Sequence, residues 1–236
     1  MDRHAQKRLI RKLDLELFVA SLQPQPNPKV QLEQYTTPEA IVANLLYLAT
    51  YTHNDIINKS VLDLGCGTGR LGLGAAFLGA TEIVGIDLDP LAIKTAQTNT
   101  KKAGLSKKCV QWINGDISAI EGRFDTVVQN PPFGVQNRKA DQVFLVKALE
   151  VADKVYSIHK HSEVDEHLIK MLKSSGGFVQ VQPSSFLEGF IAKSGGAITA
   201  VYSMLMTIPK MFVFHRKLKH DFVIDLYLIE KQQNSC

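Results

Sequence analysis

The chain has 236 residues, 45% hydrophobic and 21% charged, with a formal net charge of +4. That composition excludes a wholly disordered, collagen-like or coiled-coil chain, and the charge is too small for a dedicated nucleic-acid coat. No apolar run reaches the roughly 18–20 residues that cross a bilayer, and Met1 to Lys12 carries no apolar signal region, so a cytoplasmic protein without membrane attachment is expected.

Leu9, Leu13, Leu17 and Phe18 recur at helical spacing, which predicts an amphipathic helix over 2–22. The prolines at 24, 26 and 28 end it. Thr37-Pro38-Glu39 reads as an N-cap, a proline at the first helical position and an early acid, opening a helix to about Thr52. From Ser60 strands and helices alternate. Strands are expected at Val61–Leu64, Glu82–Asp87, Cys109–Ile113, Phe124–Gln129 and Lys154–Ile158. Helices are expected at Leu71–Leu78, Pro90–Ala103 and Asp141–Ala152. This pattern predicts βαβ units and an α/β fold with a mostly parallel sheet covered on both faces. Beyond Ser162 the expectation is a helix to Leu172, a strand at Gly177–Val181 and a helix from Ser184 to Lys193. A terminal antiparallel pair, Ala197–Ile208 and Asp221–Ile229, follows. The whole, 1–236, reads as one domain, a helical extension over 1–52 preceding a core over 53–230.

Asp63-Leu64-Gly65-Cys66-Gly67-Thr68-Gly69 follows a strand and opens a helix, so it is a nucleotide-type loop. Gly67 to Gly72 also fits GxGxxG, with Asp87 about 20 residues on, as a dinucleotide site would have it. A tight turn without a ligand is the plain alternative. Two details argue against a dinucleotide. A carboxylate at Asp63 suits a cationic ligand better than a pyrophosphate, and Asp87 at a strand end can accept both hydroxyls of a ribose. Asp116 after the third strand can accept from an adenine amino group. Together they suit S-adenosylmethionine, which carries an ammonium and a free ribose and has no phosphate.

Asn130-Pro131-Pro132-Phe133-Gly134 follows the fourth strand. Consecutive prolines make a stiff, extended rim with outward carbonyls. The Asn130 side-chain oxygen and the Pro131 carbonyl can each accept one N–H of a planar amine, and Phe133 can stack on a flipped base. Held so, the nitrogen can turn its lone pair toward a donor methyl. The contribution is positioning, with no strong base required.

Glycine loop, Asp87, Asp116 and Asn-Pro-Pro-Phe together resemble the class I S-adenosylmethionine-dependent methyltransferases of the amino group. Leu32 to Pro38, Val155 to Lys160, Ile208-Pro209 and Phe214-His215 narrow the resemblance to the small-subunit ribosomal RNA adenine-N6 methyltransferases, over most of 10–230. The resemblance implies a seven-stranded sheet with an antiparallel last strand. It implies cofactor contacts at Gln34, Tyr35, Thr37, Asp63, Gly65, Cys66, Gly67, Thr68, Gly69, Arg70, Asp87, Leu88, Asp116, Ile117 and Asn130. It implies catalysis by Asn130, Pro131, Pro132 and Phe133, substrate contacts at Phe133, His159, Lys160 and His215, and no metal. Basic clusters at Arg3–Lys12 and Lys210–His220 are candidates for RNA phosphate contact, or solvated surface. The family also works with a small activator protein. Here the candidate edge for strand pairing is Cys109–Ile113, which carries Trp112, although a Trp packed in the core fits equally. The segment 173–196 departs from the family. A protein glutamine-N5 methyltransferase, a DNA adenine enzyme, a non-catalytic cofactor-binding subunit and an NAD-dependent oxidoreductase are the competing readings.

Overall fold

The computed structural model describes residues 9–105, 110–134, 139–162, 166–175, 177–209 and 219–232. Among the described residues, eight strands form one sheet in the order β3-β2-β1-β4-β5-β8-β7-β6. Strands β1 (Ser60–Leu64), β2 (Glu82–Asp87), β3 (Val110–Asn114), β4 (Phe124–Gln129) and β5 (Ala152–Lys160) run parallel. Strand β8 (Lys219–Lys231) runs antiparallel to β5, β7 (Gly196–Pro209) antiparallel to β8, and β6 (Val179–Gln180) antiparallel to β7. The last strand is antiparallel as expected, but the count is eight rather than seven, because two-residue β6 adds an outer strand beside β7.

Helices make the parallel connections: α3 (Arg70–Leu78) joins β1 to β2, α4 (Pro90–Lys102) joins β2 to β3, and α5 (Ala140–Val151) joins β4 to β5. The sheet therefore buries both faces. Val127 and Val128, neighbours on β4, belong to opposite cores, as the alternation of a strand requires. The C-terminal region follows the expected order, with α6 (Glu166–Ser174), then β6, then α7 (Ser185–Lys193). The Ser184 hydroxyl caps α7 by accepting from the Leu187 N–H at 3.3 Å.

Two expectations at the N-terminal end are corrected. Helix α1 covers Lys12–Ala20 only, residues 1–8 lying outside the described chain. The stripe that predicted it faces outward, Leu9, Leu13 and Leu17 being 55–61% exposed. The buried face is Leu15 and Val19, with Phe18 stacked on Phe77 at 4.3 Å. Both stripes have helical spacing, and packing on α2 (Glu39–Tyr47) and α3 selects the second. At α2 the N-cap is Pro38, in extended conformation, and no side chain caps the helix. Thr37 is not the cap, because its hydroxyl is engaged by the Asn130 side chain.

The edge strand β3 places Trp112 inward. Its indole N–H donates to the Thr100 hydroxyl at 2.8 Å. Its ring packs so closely on the glycine loop and on β2 that a Cβ at Gly69 would lie 2.6 Å from it, and one at Gly85 2.2 Å. Glycine at these positions lets the only tryptophan support the loop from beneath.

Candidate active site

The carboxyl ends of β1, β2 and β4 converge on a cavity of about 290 Å³, where open α/β sheets hold their ligands. The loop after β1 forms one wall, with Gly65 at φ +67° and Gly67 at φ +53°. A side chain at Gly65 would also meet Phe144 of α5 at 2.8 Å. Gly65, Cys66, Gly67 and Thr68 line the cavity, while Gly69 does not and turns toward Trp112. Leu88, Asp116 and Ile117 line a further side. Burial pushes the Cys66 thiol up, so it stays protonated and serves as apolar wall.

Three aspartates face this space. Asp87 ends β2, accepting from the Gly67 N–H and the Asp89 N–H, each at 2.8 Å. Burial raises its carboxyl above the usual range, partly offset by those two donors. Asp116 is exposed, and the Ser118 hydroxyl and N–H hold its carboxyl below the usual range. Asp63 is 1% exposed and accepts from the Gly72 N–H at 2.8 Å. Burial pushes its carboxyl up to about 7, against the lowering by Gly72, with Asp87 adding to the rise. A carboxyl raised by folding stabilises the fold below its unfolded pKa and loses that effect as pH climbs to about 7. The cofactor-free protein is therefore expected to lose Tm between about pH 4 and about pH 7, and Asp63→Asn to flatten that decline. An unchanged slope in Asp63→Asn would remove Asp63 as its source.

A strap from residue 23 to 38 roofs the cavity, and residues 31–37 line it. Its turn passes through Glu33 at φ 50°. Asp89, fully buried at the N-terminus of α4, holds the strap with one carboxylate. It accepts from Lys29 Nζ at 2.8 Å, Gln25 Nε2 at 3.0 Å, Gln34 Nε2 at 3.0 Å and the Leu91 N–H at 3.2 Å. Burial opposes ionisation there, but these donors win and hold the Asp89 carboxyl below the usual range. Asn99, 0% exposed, donates to the Thr68 carbonyl at 3.0 Å and bonds both backbone groups of Gln23. The Arg70 guanidinium donates to the Thr37 carbonyl at 3.0 Å and the Leu22 carbonyl at 3.4 Å, and pairs with Glu39 at 3.6 Å. Burial lowers its pKa from the usual value. Gln34, Tyr35, Thr37 and Arg70 thus all line the cavity, and each is also fastened to the protein.

Asn130 follows β4 at the cavity's edge. Its side-chain oxygen accepts from the Tyr35 hydroxyl at 2.9 Å, and its side-chain nitrogen donates to the Thr37 hydroxyl at 2.9 Å. Pro132 also lines the cavity, whereas Pro131 is buried beside it. Phe133 stacks on Tyr35 with ring centroids 5.8 Å apart and meets Phe222 edge-on at 6.0 Å.

The expected substrate residues separate. His215 lies outside the described residues, and Lys160 is exposed at the end of β5. His159 is 3% exposed, shares a hydrogen bond of 2.8 Å with Ser157 and meets the Tyr227 ring edge-on. It is part of a packed polar row with Gln129, which donates to Ser157 at 2.9 Å, and not of an open surface. Gln25, Lys29, Asp89, Asn99 and Phe144 are not legible as site residues in the sequence. Asp89-Pro90 signals a helix start, and nothing local announces its long-range partners.

Residues 38–131 match the family of the ribosomal protein L11 methyltransferase (PrmA). An uncharacterized protein of Methanocaldococcus jannaschii is 36% identical over 94% of this chain and 95% of its own length. The rRNA N(6)-adenosine-methyltransferase METTL5 of Danio rerio is 33% identical over 90% of this chain and 95% of its own. The crystal structure of a candidate RNA methyltransferase from Pyrococcus horikoshii is 35% identical, with a TM-score of 0.78, covering 95% of this chain and 100% of that one.

Proposed function

Since the chain belongs to the METTL5 family of rRNA N6-adenosine-methyltransferases, we propose that it transfers a methyl group from S-adenosylmethionine to the exocyclic N6 of an adenine in small-subunit rRNA. The observation that carries this reading is the Asn130 carboxamide, pinned at the rim of a cavity whose inner wall carries Asp63 and Asp87.

The residues fit that cofactor and not a pyrophosphate. The buried carboxylate of Asp63 and the half-buried one of Asp87 face the glycine loop, and the guanidinium nearest to it is spent on Thr37, Leu22 and Glu39. When bound, S-adenosylmethionine supplies an electrophilic methyl on a sulfonium. Asp87 would accept from the ribose hydroxyls, Asp63 would face the ammonium, and Asp116 with Ile117 would border the adenine. Asn130 and the Pro131 carbonyl would take the two N–H groups of the target amine, leaving its lone pair free toward the donor. Phe133 would stack on the base once it leaves its helix. As the C–N bond formed and the methyl–sulfur bond broke, with S-adenosylhomocysteine as the other product, the target nitrogen would become acidic and lose one N–H proton to solvent, so no residue need act as a strong base.

The same reading makes residues 1–236 one cytoplasmic methyltransferase domain, with 1–52 as its extension and 53–230 as its core. No helix among the described residues is long and apolar enough to cross a membrane. It also assigns the activator to the outer edge of β3. Support there is the terminal place of β3 in the sheet and the 38% exposure of Ile113, while Cys109 lies outside the described residues and Trp112 faces inward.

The test is transfer of labelled methyl to purified small-subunit rRNA, with digestion to nucleosides, alone and with an activator. N6-methyladenosine is the expected product. Label entering a glutamine-bearing peptide instead of RNA would give the protein glutamine reading the site.

A further inference from the structure

Tyr35 touches both working groups of the Asn-Pro-Pro-Phe segment: its hydroxyl reaches the Asn130 side-chain oxygen at 2.9 Å, and its ring stacks on Phe133 at 5.8 Å. We propose that Tyr35 is a positioning residue for methyl transfer, acting through Asn130 by holding the carboxamide in the one orientation that offers its oxygen to the target amine. The inference rests on the function proposed above and deepens it.

Hydrogen-bond polarity decides that orientation. A carboxamide can sit in two orientations that differ by exchange of O and NH₂, and only one presents an acceptor where an incoming N–H must be received. Thr37 does not choose between them, because a hydroxyl accepts as readily as it donates. Tyr35 does choose. A phenol is a better donor than acceptor, and a buried O–H left without an acceptor is costly. Burial raises the Tyr35 hydroxyl pKa further, so it stays a donor across the working range. The oxygen therefore faces Tyr35 and the nitrogen faces Thr37. One lone pair of the oxygen is occupied by Tyr35, and the other remains for substrate.

The placement also links the motif to the strap. Tyr35 lies one residue from Gln34, whose amide donates to Asp89. It lies two from Thr37, whose carbonyl is held by Arg70. The acceptor for the target amine is thus set by the segment that roofs the cofactor cavity.

Tyr35→Phe deletes the hydroxyl and keeps the ring on Phe133. The expected result is a kcat lowered about tenfold, with KM for RNA and Kd for the cofactor unchanged. In an Asn130→Ser background Tyr35→Phe should cost little more, because its partner is gone. A raised cofactor Kd with kcat intact would make Tyr35 a wall of the cofactor cavity only, and overturn the inference. The second measurement is independent of turnover. In the ¹H–¹⁵N spectrum of wild type, the Asn130 side-chain amide, identified by its loss in Asn130→Ala, should exchange slowly with water. In Tyr35→Phe it should shift and exchange faster. An unchanged Asn130 signal would overturn the positioning role, whereas wild type failing to label adenine would overturn the proposed function and leave this second result to stand.

Discussion

Asn130→Ala is expected to lower methyl transfer by about a hundredfold to a thousandfold, with cofactor affinity retained. The magnitude is that of removing one preorganised dipole from the reacting centre. The Asn130 oxygen acts on the nitrogen that attacks, so its effect belongs to kcat. The nitrogen of an exocyclic amine shares its lone pair with the ring, and it becomes nucleophilic only as its two N–H groups are held out of that plane. Alanine keeps the backbone carbonyls of the rim but removes one of the two acceptors. It also strands the Tyr35 and Thr37 hydroxyls, which meet on this carboxamide. Each group loses about 1–3 kcal/mol of satisfaction if no water replaces it, so a modest fall in Tm should accompany the loss of activity. Single-turnover transfer and calorimetric titration of the cofactor, on the same preparation, separate the two effects. Transfer within about threefold of wild type would mean that Asn130 does not hold the reacting amine.

The parallel half of the fold is legible in the sequence because its rules are local. Strands β2, β3 and β4 each end at a polar residue, and the helices after β1 and β2 begin at Gly69 and Pro90, residues that mark such boundaries. The glycine loop, Asp87, Asp116 and Asn130 are legible for the same reason, since each stands at a strand's end. What escapes is whatever depends on a distant partner. Thr37-Pro38-Glu39 reads as a helix start, but the Thr37 hydroxyl meets Asn130, 93 residues away, and Pro38 takes the cap position. Asp89 reads as a helix cap, yet Lys29 and Gln34 reach it from 60 and 55 residues away. The leucine stripe of α1 has the right period but the wrong face, because apolar residues stand on both sides of that short helix. A β5 that stops at Ile158 would leave His159 in a loop near substrate. The strand instead runs to Lys160, so Val155, Ser157 and His159 share one face, and that face is buried.

Asp87→Ala is expected to weaken cofactor binding by about a hundredfold or more while leaving the reacting centre intact. A carboxylate that accepts two ribose hydroxyls contributes two charge-assisted hydrogen bonds, each about 1.5–3 kcal/mol, and every 1.4 kcal/mol is roughly tenfold in Kd. The substitution also releases the Gly67 N–H, which Asp87 holds at 2.8 Å, so the glycine loop keeps only its backbone tie to β2, the Cys66 N–H on the Ile86 carbonyl at 2.9 Å. Asp87→Asn should be little better. Both oxygens of Asp87 already accept backbone N–H groups, from Gly67 and from Asp89. An amide must turn its NH₂ toward one of them, setting donor against donor. The side chain then either abandons a backbone tie or rotates away from the cavity. Calorimetric titration of Asp87→Ala, Asp87→Asn and wild type measures both effects. Asn matching wild type in Kd would mean that the negative charge and the double acceptance are not what the cofactor uses. Asp87→Ala binding normally but failing in turnover would move Asp87 from the cofactor's ribose to the reacting centre.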